Sequence, residues 1–273
     1  MHPNARGIAV KKAYIDAGAE RAAYQMTEVD VYNQPVGQPQ VAKVSTHEEV
    51  SQFDFFEQCA LTQLEAGRLA TRFNTKLSAL GIKVPYIKFL EPTCYSWLTD
   101  GTDDAAVLSE KRLDVSKYKK WNDNKGGVDT LLAKVQPLLE LGLGTIGEEE
   151  EEEEEEEEAD QEEEEQVQVV DEESRQQIID DDVPQAFSHW SYHDTGGNKR
   201  RFLVCDLQGV LNSSFELTDP AIHSRRKRFG VTDHGQRGHE AFFATHKCNP
   251  LCKILQLKSP SFKPEGPASQ GQA

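Results

Sequence analysis

No stretch of this 273-residue chain is long and apolar enough to approach a membrane span, and Met1-His2-Pro3-Asn4-Ala5-Arg6 has no apolar core of the secretory-signal type. Neither a membrane partner nor an export signal is expected. Cysteine is scarce and odd in number: Cys59, Cys94, Cys205, Cys248 and Cys252 lack the spacing of a disulfide framework. That argues against a disulfide-stapled secreted scaffold and for a reducing compartment, cytoplasmic, with the nucleus also compatible. No repeat and no calmodulin-target helix can be seen. Basic residues are not interleaved with aromatics in any recognised module, so nucleic acid is not an expected partner.

Charge is present but uneven. The formal net charge is −17, yet residues 148–182 carry 22 Asp and Glu against the single Arg175, a net of −21 that opens on eleven consecutive Glu. Taking −21 from −17 leaves +4, so the rest is mildly basic and globular. Self-repelling sequence of this kind cannot bury apolar surface, and residues 147–182 are expected to form a disordered acidic insertion. It would tether a basic partner or simply be solvated. The Pro- and Gln-rich tail, 259–273, is also expected to be disordered.

Residues 8–46 read as β-rich, with a turn at Gly18 and a short strand Val41-Ala42-Lys43-Val44. An inward Lys43 needs a counter-charge, because an unpaired buried ammonium is very costly; the alternative is a surface lysine on a half-exposed strand. Over residues 52–74, Phe56, Ala60, Leu64, Leu69 and Phe73 recur at roughly helical spacing and predict an amphipathic helix packed on the sheet. Residues 84–90 and 106–114 read as further strands, 122–127 as a turn and 130–143 as a helix.

Chemistry-bearing residues concentrate between His189 and Cys252. The apolar strand Phe202-Leu203-Val204-Cys205 ends on Asp206. Gln208, two residues on, points to the same side, and Asp219 follows after a turn. One carboxylate to orient a hydroxyl, with an amide and a carboxylate on Mg²⁺, suits phosphoryl transfer. The plainer reading takes both aspartates as turn formers. Cys248 and Cys252, four apart, would share a helix face, with His246 just before them and His189 brought back by the fold. Such a set holds structural Zn²⁺ tetrahedrally, unless the cysteines merely pack as small hydrophobes.

In order along the chain, Phe187-Ser188-His189-Trp190, Asp206-Leu207-Gln208-Gly209-Val210, Thr218-Asp219-Pro220-Ala221-Ile222-His223 and Thr245-His246-Lys247-Cys248-Asn249-Pro250-Leu251-Cys252 resemble the C-terminal lobe of the alpha-kinase family of atypical protein kinases. The helix string from Gln58 to Asn74 and the Tyr-x-x-x-Asn-x-Asn-x-Gly segment at 118–126 resemble it too. The likeness covers roughly residues 10–257 apart from the acidic insertion. It implies an α+β, two-lobed kinase domain over 8–258, with an N-lobe at about 8–105, a hinge at about 106–115 and a C-lobe at about 116–258. Zn²⁺ on His189, His246, Cys248 and Cys252 would knit the C-lobe. ATP would lie in the cleft, with Gly18, Ala19 and Arg21 in the phosphate loop, Lys43 on the phosphates and Glu110 at the adenine end. Asp206 would orient or deprotonate the Ser or Thr hydroxyl of a protein substrate, while Gln208 and Asp219 hold Mg²⁺. Replacing Asp206 or Lys43 by Ala is expected to abolish transfer without unfolding the protein.

Two departures from the family pattern stand out. The second glycine-rich loop, 229–238, which in the family is proposed to help bind peptide substrate, has Thr232 where Gly is usual and Asp233 where Asn is usual. Three extra residues lengthen the connection from Asp206 to Asp219. These keep a second reading open: a catalytically impaired pseudokinase, or a scaffold binding basic partners through its acidic insertion. The basic patch Arg225-Arg226-Lys227-Arg228 would meet phosphate groups or that insertion.

Overall fold

The computed structural model describes residues 2–17, 21–46, 52–98, 104–127, 178–196 and 201–262. Strands β1 (Gly7–Ala17), β2 (Arg21–Val29) and β3 (Pro35–Ser45) form an antiparallel meander. Strands β4 (Ile87–Phe89), β5 (Thr93–Leu98) and β6 (Asp104–Lys111) follow, and β6 and β5 extend the meander to a five-stranded sheet ordered β1-β2-β3-β6-β5. One face buries Met26, Ala42 and Val107, while Ala106 and Leu108 pack from the opposite face against Phe56. Register pairs Lys43 with Leu108. Directly opposed residues share a face, so Lys43 and, by alternation, Glu110 face the same way as Leu108.

Helix α1 (Gln52–Ala79) covers that face and continues beyond it. Its buried stripe runs through Phe56, Gln63, Ala66, Ala70, Phe73 and Leu77, the last four in a second core with Phe187, Trp190, Phe215 and Leu217. Leu64, expected on the buried side, is 54% exposed; the 3-4-3-4 spacing passes through Gln63 instead. One helix therefore spans both lobes.

The C-lobe combines a four-stranded sheet, β4-β10-β9-β7, with the pair β11-β8. Here β7 is Lys119–Lys120, β8 Leu203–Cys205, β9 Gln208–Leu211, β10 Phe215–Thr218 and β11 Ala221–His223. Helices α2 (Asp182–Asp194), α3 (Gln236–Thr245) and α4 (Pro250–Ile254) complete it. Phe73 packs its ring 5.4 Å from Phe187 and 5.3 Å from Trp190, and Trp121 meets Phe215 edge-on at 5.1 Å. Such pairs contribute about 0.5–1.5 kcal/mol each beyond the area they bury.

The acidic stretch rejoins the fold earlier than its charge predicts. Ile178 packs on the core, and Asp181 accepts from Lys119 Nζ at 2.7 Å and Trp121 Nε1 at 3.0 Å. Residues 178–182 are therefore ordered parts of the C-lobe; the rest of the insertion and the helix expected at 130–143 lie outside the described residues. At the other end, the Phe262 ring lies 6.0 Å from Phe243, so the first residues of the expected tail pack as well. Among the described residues, no helix is long and apolar enough to cross a membrane.

Candidate active site and metal cluster

Two ladders bring the predicted aspartates together. Cys205 pairs with Ala221 across β8 and β11, and Gln208 pairs with Thr218 across β9 and β10. The two short connections between these ladders, Asp206-Leu207 and Asp219-Pro220, must therefore run side by side. Asp206 (φ 59°) and Asp219 (φ 51°) both adopt the left-handed conformation, which Asp tolerates better than most residues. The β9–β10 hairpin forms the connection between them. Gly209 is required there: its φ is 148°, and a Cβ would stand 2.0 Å from the Glu216 carbonyl oxygen.

The N-lobe supplies the counter-charges. Lys43 Nζ lies 2.5 Å from Glu110 Oε2, 2.7 Å from Asp219 Oδ2 and 2.7 Å from Thr218 Oγ1. Arg21 takes the other Asp219 oxygen at 2.6 Å. Lys43 is 6% exposed and Glu110 2% exposed, so the surface-lysine alternative does not hold. Burial pushes Lys43 toward neutrality, but Asp219 and then Glu110 outweigh it and raise its pKa above the ordinary lysine value. Burial likewise opposes ionisation of Asp219, and Lys43 and Arg21 overcome it to hold that carboxyl below the usual range. Asp206 differs. Burial raises its pKa; Lys120, ion-paired with its Oδ1, opposes the rise without cancelling it. The site thus holds one firmly ionised carboxylate beside another whose proton is more readily kept.

Of the predicted residues, Arg21, Lys43, Glu110 and Asp219 form one bonded cluster, with Asp206 beside it. Gln208 shares a sheet face with Thr218 and Lys120, its cross-strand neighbours, and contacts Asp206 Oδ2 at 3.5 Å. Gly18 and Ala19 lie outside the described residues. The Glu110 side chain turns onto Lys43 and Thr218, so in this structure its carboxylate serves the lysine.

Three positioning residues were missed from sequence. Gln63, 3% exposed on α1, donates to Glu110 Oε1 at 2.6 Å and to the Leu90 carbonyl at 2.7 Å, and accepts from the Asp219 backbone N–H at 2.9 Å. Its polar side chain inside an apolar 3-4 stripe was the available signal. Asn122, 1% exposed, accepts from Leu207 N at 2.9 Å and donates to Ser188 Oγ at 3.0 Å, so it holds the loop just after Asp206. Lys120, adjacent to that turn motif, carried no distinguishing pattern.

The four metal candidates also meet. One donor atom from each of His189, His246, Cys248 and Cys252 lies within 4.8 Å of the others. Cys248 Sγ is 3.7 Å from His189 Nδ1, and Cys252 Sγ is 3.6 Å from His246 Nε2. Zinc bonds of about 2.3 Å to S and 2.0–2.1 Å to N at tetrahedral angles would separate N from S by about 3.6 Å, so the donor set fits Zn²⁺. His189 Nε2 lies 3.2 Å from the Lys258 carbonyl. A carbonyl only accepts, so that nitrogen carries the proton and Nδ1 is free to ligate. Burial lowers His189 and His246 to about 4, keeping them neutral, and pushes the Cys252 thiol up to about 12 when no cation is bound.

The model of the alpha-kinase family matches residues 16–140 and 161–252. The chain belongs to the alpha-kinase family. Alpha-protein kinase vwkA of Dictyostelium discoideum is 47% identical over 83 residues, 30% of this chain and 13% of that protein. Eukaryotic elongation factor 2 kinase of Mus musculus is 38% identical over 76 residues, 28% of this chain and 10% of that protein. The chain thus matches only about a tenth of the length of these relatives. In structure, the alpha-kinase domain of myosin-II heavy chain kinase A in complex with adenosine superposes with a TM-score of 0.61 at 20% identity, covering 93% of this chain and 87% of that one. The same domain in complex with AMP-PNP gives 0.60 at 21% identity. The fold is the mixed helix-and-sheet alpha-kinase domain.

Within this alpha-kinase domain, the altered glycine-rich loop is internally organised. Asp233, 4% exposed, accepts from Ser224 N and Oγ, Phe229 N and Gly235 N at 2.6–3.3 Å. A carboxylate with both oxygens engaged fastens this loop from within.

Proposed function

We propose that this chain is an ATP-dependent protein kinase that transfers the γ-phosphoryl of Mg-ATP to a Ser or Thr hydroxyl of a protein substrate. One observation carries the reading. Lys43 and Arg21 converge on the carboxylate of Asp219, while Asp206 stands beside them on a parallel connection. Two cations aimed at one point can grip anionic phosphate oxygens, and phosphoryl transfer is mostly positioning and charge stabilisation. The hard oxygens of Asp219 and Gln208 suit Mg²⁺, which when bound would neutralise charge on the phosphates. Asp206, with its raised pKa, orients the acceptor hydroxyl and takes its proton. Gln63 fixes Asp219 and Glu110 relative to each other, and Asn122 fixes the loop after Asp206. Zn²⁺ on the His189 cluster would be structural, since all four positions are filled by protein ligands. Five free thiols suit a reducing, cytoplasmic setting.

The changed loop and the longer connection favour an impaired enzyme; the bonds of Asp233 within that loop and the regular β9–β10 pairing support an active one. The test is transfer of labelled phosphate from ATP to a library of Ser- and Thr-containing peptides, with and without Mg²⁺. Mg-dependent incorporation, lost by at least about a thousandfold in Asp206→Asn while nucleotide binding persists, is expected. Equal transfer by Asp206→Asn would overturn the assignment, and nucleotide binding without any transfer would favour the scaffold.

A further inference from the structure

One buried ring joins the loop that supports Asp206 to the second glycine-rich loop. His223 ends β11, fully buried, with its backbone paired to Leu203 of β8. Its Nε2 lies 2.5 Å from the Asn124 carbonyl oxygen and 3.4 Å from the sulfur of Cys205, the residue just before Asp206. Its Nδ1 accepts from the His234 backbone N–H at 3.1 Å. A carbonyl only accepts and a backbone N–H only donates, so the ring carries its proton on Nε2. Burial lowers its pKa to about 4, which keeps it neutral. His239 Nε2 lies 3.1 Å from the His223 carbonyl oxygen, and a Cβ on Gly238 would stand 2.2 Å from the ring's Cδ2. The ring therefore fills its space with little room to swing.

The Asp206 N–H donates to the Asp123 carbonyl at 3.3 Å, so residues 122–124 support a residue in the left-handed conformation (φ 59°). Such a conformation persists only where its surroundings over-determine it. Asn122 secures one end of this support through Leu207 N and Ser188 Oγ. At the other end, the Asn124 carbonyl is held by His223. The glycine-rich loop depends on the ring less, because Asp233 also fastens it to Ser224 and Phe229.

We propose that His223 is a positioning residue for phosphoryl transfer: its Nε2–H fixes the backbone that supports Asp206, while its Nδ1 separately ties in the second glycine-rich loop. The proposal rests on the kinase reading above. Two neutral substitutions separate the two bonds, since an Asn amide reaches the place of Nδ1 and a Gln amide the place of Nε2. His223→Gln should keep the bond to Asn124, and His223→Asn the bond to His234. The assay is transfer of labelled phosphate from Mg-ATP to a Ser peptide by the full chain. Relative to wild type, kcat should fall at least about tenfold in His223→Asn and stay within about threefold in His223→Gln. KM for ATP should be unchanged in both, because Asp219 is held by Lys43, Arg21 and Gln63. Amide exchange followed by NMR should quicken at Asp206 only in His223→Asn and at His234 only in His223→Gln, by about threefold or more. A histidine that merely filled space would give equal kcat losses in the two variants. That result, or kcat near wild type in His223→Asn, overturns the proposal. Should His223→Asn fail to fold, His223→Gln decides alone: kcat within about threefold of wild type upholds the proposal and a lower one overturns it. If wild type transfers no phosphate but exchange follows the stated pattern, the positioning role stands and the kinase reading fails. If transfer occurs but exchange at Asp206 is unchanged in His223→Asn, the positioning role alone fails.

Discussion

Replacing Lys43 by Met tests the charge cluster at its centre. The substitution keeps most of the side-chain volume, so the cavity term is small and the electrostatic one dominates. It leaves the Glu110 carboxylate, 1% exposed, with Gln63 and Thr218 but no cation. Asp219 keeps Arg21. Breaking a buried pair by removing one partner costs about 3–5 kcal/mol, because the other charge is stranded; with Asp219 still compensated, we place the loss near 3 kcal/mol. At about 2–4 °C per kcal/mol for a chain of this size, Tm should fall by about 6–12 °C. Adding Glu110→Gln removes the stranded charge and should recover about 2 kcal/mol, while phosphoryl transfer stays absent in both variants. Urea and thermal unfolding of wild type, K43M, E110Q and K43M/E110Q provide the cycle. The reasoning fails if K43M melts with wild type, or if the double variant is no more stable than K43M. Loss of Lys43 is thus still expected to leave a folded protein, but a less stable one. The sequence shows the lysine but not how deeply its partners are buried.

Two further outcomes follow from the geometry. Cys252→Ser removes a thiolate from the four-residue cluster and should lower bound zinc from one ion per chain to a small fraction, with a stability loss of about 3–5 kcal/mol. Metal analysis of purified wild-type protein showing no zinc would end that assignment. Because Asp206 is held above the ordinary carboxyl range, the acid limb of kcat/KM should lie above that range. Lys120 favours the ionised form, so Lys120→Met should move the limb to higher pH; a limb that stays or moves to lower pH contradicts the pairing.

What the sequence made legible was whatever local pattern encodes. Extended stretches about a glycine turn gave the β-rich opening, and the end of an apolar strand marked Asp206. The spacing of Cys248 and Cys252 gave half of the metal cluster. What it hid was where stripes change partners. Helix α1 packs first on the N-lobe sheet and then on the Phe187 core, so no single face predicts Leu64 at 54% exposure or Gln63 at 3%. The acidic insertion misled at its end for a related reason. Asp181 belongs by composition to the glutamate run, yet Lys119 and Trp121, about sixty residues earlier, hold it. Long-range pairs of this kind leave no trace in local charge.

The candidate metal cluster and the Asp206 loop are joined through one short path, so zinc bound there would have a consequence beyond stability. His189 is on α2, and its neighbour Ser188 accepts from Asn122 Nδ2 at 3.0 Å. Gln185, one turn earlier, donates to the Trp121 carbonyl at 2.6 Å. Asn122 in turn accepts from Leu207 N at 2.9 Å, and Asp123 accepts from Asp206 N. Whatever fixes α2 therefore fixes the backbone on which Asp206 is held in its left-handed conformation. A helix of thirteen residues would have little freedom to slide once a metal bound His189 at mid-length, and a displacement of about 1 Å at the reacting group can cost about a hundredfold in rate. Loss of the metal should thus lower kcat before it unfolds the protein, with the defect transmitted through Ser188, Asn122 and Leu207.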